Sequence, residues 1–239
     1  MWSDKTRHGH LLTLRTLFEF AVSRFYLVGN PAAAVDLPML MPVEKGVHSP
    51  AQVKKFLDSC ADASVQRFFA VRYFAGLRGS EAKAISETDI RLEHNVIVVN
   101  PEICKTRRRR LVTVQANLKA WLEFTAARGG TLPLRPMENK MTAAVKASGV
   151  PWPDNVTRHS FCSYHLQHFK KPGETAMEAG HSEQVMFTSY RELLTIDGEL
   201  ITAALAKEFW DILPEIKKPV PALAETGVIE IATSVVAVQ

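Results

Sequence analysis

Gly76-Leu77-Arg78-Gly79-Ser80-Glu81 is the stretch from which the rest of the chain can be read. Glycine adopts the left-handed backbone of a helix C-terminus without steric cost, so Gly76 stops a helix predicted over 64–75. That helix carries Val65, Phe68, Phe69, Arg72 and Tyr73 at helical spacing, and its stripe of Phe68, Phe69, Tyr73 and Phe74 reads as core. Ser80 suits the N-cap of a short helix over 80–86. Arg78 and Glu81 stand where a plain core needs neither. Taken singly, Arg78 reads as a solvated loop arginine.

On the upstream side, Ser49-Pro50 opens a helix over 50–61, with serine at the N-cap and proline at the first helical position, where a missing N–H costs nothing. Farther back, Leu11, Leu14, Leu17, Phe18, Phe20 and Phe25 recur through one amphipathic helix from Arg7 to Tyr26. One helix cannot build a core alone. Asn30 to His48, with Pro31, Pro38, Pro42 and Gly46, reads as an extended linker with a boundary near residue 45.

Downstream, Ile90-Arg91-Leu92, Val96 to Val99 and Leu111 to Val114 are short and β-branched, as in a small antiparallel sheet. Lys105-Thr106-Arg107-Arg108-Arg109-Arg110, five of six residues cationic, sits in its last turn. Such a run is usually a solvated face, and a DNA contact is the competing reading. Helical patterning returns at 116–128, 138–148, 157–170, 173–180 and 197–211, before an apolar, β-rich stretch from Ile229 to Val238. The expected fold class is α+β and mostly helical. The main domain spans 49–212, flanked by residues 1–45 and a C-terminal tail, 213–239.

Composition narrows the function classes. A chain of 239 residues, 46% hydrophobic, can bury a sizeable core. No apolar stretch reaches the roughly 18 residues a membrane span needs, and the N-terminus lacks the apolar run of a secretory signal. A cytoplasmic protein is expected. Cys60, Cys104 and Cys162 are odd in number and form no CxxC, so no disulfide framework or redox motif is indicated. The net charge of +4 and pI near 9.0 favour a polyanionic partner only weakly. His159, Cys162, His165 and His168 stand three apart. Steps of three turn about 300° each on a helix, so the set drifts around the axis and a metal site is not expected.

Four places carry polar residues suited to phosphoryl transfer: Gly76 to Glu81, Cys104-Lys105-Thr106, Asn155 to Phe161 with Arg158, and Gly180-His181-Ser182 with Tyr190 nine residues after the histidine. A phosphodiester attacked by oxygen gathers negative charge on its non-bridging oxygens, which fixed guanidinium groups stabilise. In this order and spacing the residues resemble the active site of the tyrosine recombinases, the phage-integrase family, over about residues 49–212. The resemblance implies that family's catalytic domain, with a small β-hairpin sheet. It also implies that Arg78 and Arg158 clamp the scissile phosphate, Lys105 protonates the leaving 5′ oxygen, His181 bonds the phosphate and Tyr190 attacks it. A 3′-phosphotyrosyl link would result, with no metal or other cofactor. Glu81 would support Arg78, and Arg107, Arg108, Arg109 and Arg110 would contact double-stranded DNA.

At one position the chain departs from the family. Asn155 stands where most members have histidine, three residues before Arg158; its amide can donate a hydrogen bond but cannot carry a proton near neutral pH. The resemblance further makes residues 1–45 the last helix of a truncated core-binding lobe plus linker, and suggests a homo-tetramer on DNA. Three functions stay open: site-specific recombination or integration, relaxation of the type IB topoisomerase kind, and a catalytically weak DNA-binding remnant. Each residue also has a plain reading. Lys105 can be a surface lysine, Asn155 or Thr157 a helix cap, His181 a loop histidine and Tyr190 a core tyrosine.

Overall fold

Ser3 accepts a hydrogen bond from the Thr6 amide at 3.2 Å and caps α1 (Asp4–Ser23), which the Phe25 backbone, at φ 60°, brings to an end. In the computed structural model, residues 2–41, 46–105, 107–132, 138–180, 184, 195–196 and 198–215 are described. They fall into two units, Met1–Gly46 and Val47–Gln239. In the first, the Arg15 guanidinium donates to the carbonyls of Ala32, Ala33 and Val35, which ties the segment after α1 back onto the helix.

The second unit is built around one helix. Ser49 and Gln52 exchange capping bonds of 3.2 and 2.8 Å to start α2 (Pro50–Ser59). The Asp62 carboxylate then accepts from the amides of Ser64 and Val65 to start α3 (Ala63–Phe74). Phe68, Phe69, Tyr73 and Phe74 are all buried, as the apolar stripe predicts. Burial of four aromatic side chains contributes roughly 2–3 kcal/mol each, which makes α3 the anchor of the core. Packed on it are α5 (Ala116–Ala127), α6 (Glu138–Ser148) and α7 (Val156–Phe169). The short α4 (Gly79–Ala84) follows α3 directly, and α8 (Pro172–Ala179) lies on α7.

A three-stranded antiparallel sheet runs in the order β1 (Ile90–Arg91), β2 (Val96–Val99), β3 (Arg110–Thr113), with Val99 opposite Arg110 and Ile97 opposite Val112. Its outer strand β3 packs against α8. Near the end, β4 (Thr195–Ile196) and β5 (Glu199–Leu200) pair, where sequence patterning predicts the start of a helix at 197. Two local features override that pattern. Gly198 turns the chain at φ +82°, and the Thr202 hydroxyl caps the Leu205 amide, so the helix α9 (Ala203–Trp210) begins only there. The short helix expected at 80–86 with a Ser80 cap is likewise corrected to Gly79–Ala84, with Arg78 as the capping residue. Of the expected tail, 213–239, residues 216–239 lie outside the described residues.

Candidate active site

The start of α4 is built by Glu81. Its Oε2 accepts from the Arg78 amide at 2.9 Å, the return half of a capping box, and this bond sets the turn that presents Arg78. Gly76 precedes the turn at φ +60°, and a Cβ there would stand 2.2 Å from Cδ1 of Phe161. Only glycine allows this strand of chain to lie so close to α7, the helix that carries Arg158.

Glu81 is fully buried and holds two guanidinium groups. Arg78 Nη1 donates to Oε1 at 2.8 Å, while Arg110 donates through Nη1 to Oε1 at 3.0 Å and through Nη2 to Oε2 at 2.6 Å. Burial opposes the charge of Glu81, but the bonds from Arg110 and Arg78 prevail and hold its carboxyl down to about 2. A fork-on-fork pair of this kind fixes both partners in orientation as well as distance.

Three arginines meet at the C-terminal end of α8, where backbone carbonyls lack helical partners and carry the negative end of the helix dipole. Arg110 Nε donates to the Glu178 carbonyl at 3.0 Å, Arg158 Nη2 to that of Ala179, and Arg78 Nη2 to that of Gly180 at 2.5 Å. Three consecutive carbonyls are thus taken by three different arginines. Gly180 has φ +63°, and a Cβ there would lie 3.1 Å from Arg110 Nη1 and 3.2 Å from Arg78 Nη1, so the cluster closes around a bare backbone. Arg158 also donates through Nη1 to the Gly76 carbonyl at 2.7 Å. Burial, with the nearby charges of Arg78 and Arg110 adding to it, lowers the Arg158 guanidinium to about 10, which leaves it protonated near neutrality. With one carboxylate among three guanidiniums, the cluster keeps an excess of positive charge and suits an anionic ligand.

The other sequence candidates divide by position. Lys105 is exposed in the loop between β2 and β3, and its neighbour Cys104 is buried with Sγ accepting from Arg110 Nη1 at 3.4 Å. Arg107, Arg108 and Arg109 are exposed on the same loop. Arg110, expected to face DNA with them, is turned inward instead, its side chain 8% exposed and bonded to Glu81. The signal was present in the alternation of Arg110, Val112 and Val114, which puts the arginine on the buried face of β3. Asn155 occupies the residue before α7 at φ 55°, exposed, with its carbonyl accepting from the amides of Arg158 and His159, and its side chain does not cap the helix. His181 and Tyr190 lie outside the described residues.

Two residues that the motif does not include lie beside this cluster, joined to it through the Glu178 carbonyl. His165 is buried on α7, with Nδ1 2.7 Å from Thr175 Oγ1 and Nε2 3.5 Å from Glu178 Oε2. The other oxygen of Glu178 accepts from Thr113 Oγ1 at 2.5 Å. Burial works against the charge of Glu178, and His165 and Thr113 together hold its carboxyl below the usual range.

No protein-family model matches the chain, and no curated protein matches it. Solved structures do. A lambda integrase dimer bound to a core site aligns with a TM-score of 0.58 at 15% identity, over 76% of this chain and 71% of that one. The Tn1549 transposon integrase in complex with circular intermediate DNA aligns at 0.56 and 18% identity, over 86% and 78%. XerA recombinase gives 0.52 and 17% identity, over 84% and 74%. The fold, mostly helical with small antiparallel sheets, is that of the tyrosine recombinase catalytic domain.

Proposed function

We propose that this chain breaks and rejoins double-stranded DNA through a 3′-phosphotyrosyl intermediate, as a site-specific recombinase or integrase that assembles as a tetramer on its DNA. The observation that carries the reading is the convergence of Arg78 and Arg158 on the carbonyls of Ala179 and Gly180, the residues directly before His181. A phosphodiester seated against these guanidiniums would have its developing charge stabilised where the chain continues to Tyr190. The Tyr190 oxygen bonds to phosphorus, the bond to the 5′ oxygen breaks, Lys105 supplies that oxygen with a proton, and the phenolic proton leaves to solvent. The covalent link retains the phosphodiester energy for rejoining, so the scheme needs no cofactor.

Asn155 favours a second reading, a DNA-binding remnant with little cleavage, because its amide cannot exchange a proton near neutral pH. One assay separates the two. A pool of nicked duplexes of randomised sequence traps covalent adducts, since the short cleaved strand diffuses away. An adduct that disappears in Tyr190→Phe is the expected result. DNA binding without any adduct supports the remnant, and an adduct that persists in Tyr190→Phe overturns the proposed nucleophile.

A further inference from the structure

Glu178 joins three elements at once. Its carbonyl accepts from Arg110 Nε at 3.0 Å and its carboxylate from Thr113 Oγ1 at 2.5 Å, so it grips β3 at both ends of the strand. Its second carboxylate oxygen faces His165 on α7 at 3.5 Å, and His165 is fixed in turn by Thr175 and packed against the rings of Phe161 and Phe169. Strand β3 is the return strand of the hairpin whose loop holds Lys105. From Glu178 a line of contacts runs through Arg110 to the thiol of Cys104, the residue next to Lys105. Lys105 itself is exposed, and a long, flexible ammonium on a surface loop acts on a chosen atom only if the backbone beneath it is held.

We infer that Glu178 is a positioning residue: by bridging Thr113 to His165 it docks the hairpin on α7 and α8 and so places Lys105 against the leaving oxygen of the phosphate held by Arg78 and Arg158. This rests on the proposed cleavage chemistry and adds to it a part that Glu81 does not perform. Glu81 orients the phosphate clamp, and Arg110 links the two. Glu178 sets the distance between the clamp and the proton donor.

The test uses the duplex selected in the trapping assay, made with either oxygen or sulfur at the 5′ bridging position of the cleaved bond. A sulfur leaving group departs as thiolate and needs no proton donor, so it relieves a defect in proton donation to the leaving group and not one in phosphate binding or in attack by the nucleophile. Glu178→Ala is expected to slow single-turnover cleavage of the oxygen substrate about tenfold, to cleave the sulfur substrate at the parent rate, and to bind DNA normally. Glu178→Gln, which keeps an acceptor for Thr113, should recover most of the oxygen rate. Thr113→Val removes only the hairpin bond and serves where Glu178→Ala fails to fold; it should show the same relief by sulfur. A slow rate on both substrates, or a parent rate on the oxygen substrate, overturns the proposal. Lys105→Ala reports on the underlying chemistry. If it is slow with oxygen and relieved by sulfur while Glu178→Ala and Thr113→Val are not, the positioning role alone fails. If Lys105→Ala cleaves the oxygen substrate normally, the general-acid reading fails and the positioning role with it.

Discussion

The Glu81 carboxylate accepts four hydrogen bonds, one from the Arg78 amide and three from the guanidinium groups of Arg78 and Arg110. Replacing it with alanine leaves two cations facing each other in a buried place without their counter-charge. Loss of one partner of a buried pair costs about 3–5 kcal/mol, so Glu81→Ala should lower the urea midpoint markedly and abolish adduct formation. An unchanged midpoint would show that the arginines find other partners. Gly76→Ala meets a different obstacle, a positive φ and a Cβ that would stand 2.2 Å from Phe161, and should cost roughly 3 kcal/mol by the same measurement. Asn155 is neither buried nor a side-chain cap, and its φ of 55° is one that asparagine and histidine tolerate better than most residues. Asn155→His should therefore fold normally and, by restoring a group that exchanges protons, raise the trapped-adduct rate about tenfold or more. A lower rate would mean that the site is adapted to the amide.

The hairpin of β2 and β3 splits its cations between two environments. Arg107, Arg108 and Arg109 are exposed, whereas Arg110 lies on the buried face with Val112. Replacing the three exposed arginines together with alanine should leave the unfolding midpoint unchanged and flatten the salt dependence of DNA binding by about one unit of slope per lost phosphate contact. Arg110→Ala should do the reverse in part, destabilising the fold because Glu81 and the Glu178 carbonyl lose donors. Equal effects of the two changes on stability would contradict this division. Strand periodicity makes the inward turn of Arg110 legible in principle, whereas the run of five cations points only to charge. The hairpin β4–β5 is hidden for a similar reason, because apolar spacing over 197–211 suggests a helix until Gly198 and Thr202 are weighed as stop and start signals.

Most of the helical framework was legible because it depends on local signals: the Ser49-Pro50 start, the Gly76 stop, the apolar stripe of α3. Arg78, Glu81 and Arg158 were legible as candidates because each sits within a few residues of an element end. Their arrangement was not. Arg158 bonds across 82 residues to Gly76 and Arg110 across 68 to Glu178, and such pairings leave no mark on neighbouring sequence. His48, near the start of the second unit, shows how long-range contacts also set the response to pH. Its Nε2 lies 2.6 Å from the Pro151 carbonyl, which can only accept, so Nε2 carries the proton and Nδ1 accepts from the Tyr73 hydroxyl at 2.6 Å. A second proton would remove that acceptor and place a charge among Tyr73 and Trp152. Burial accordingly pushes the His48 pKa below 6.5, against the Pro151 bond that raises it. A lowered histidine pKa means that the unfolded chain binds the proton first, so stability is complete above about pH 6.5 and falls as pH drops through the folded value. Glu81, held near 2 against an ordinary 4.5, contributes in a separate window, losing its stabilisation only as pH falls from about 4.5 towards 2. Urea midpoints measured from pH 8 to pH 3 should therefore decline in two stages, the first beginning near 6.5. In His48→Gln the first stage should vanish while the second remains, and a first stage that survives this substitution unchanged would assign it to another group.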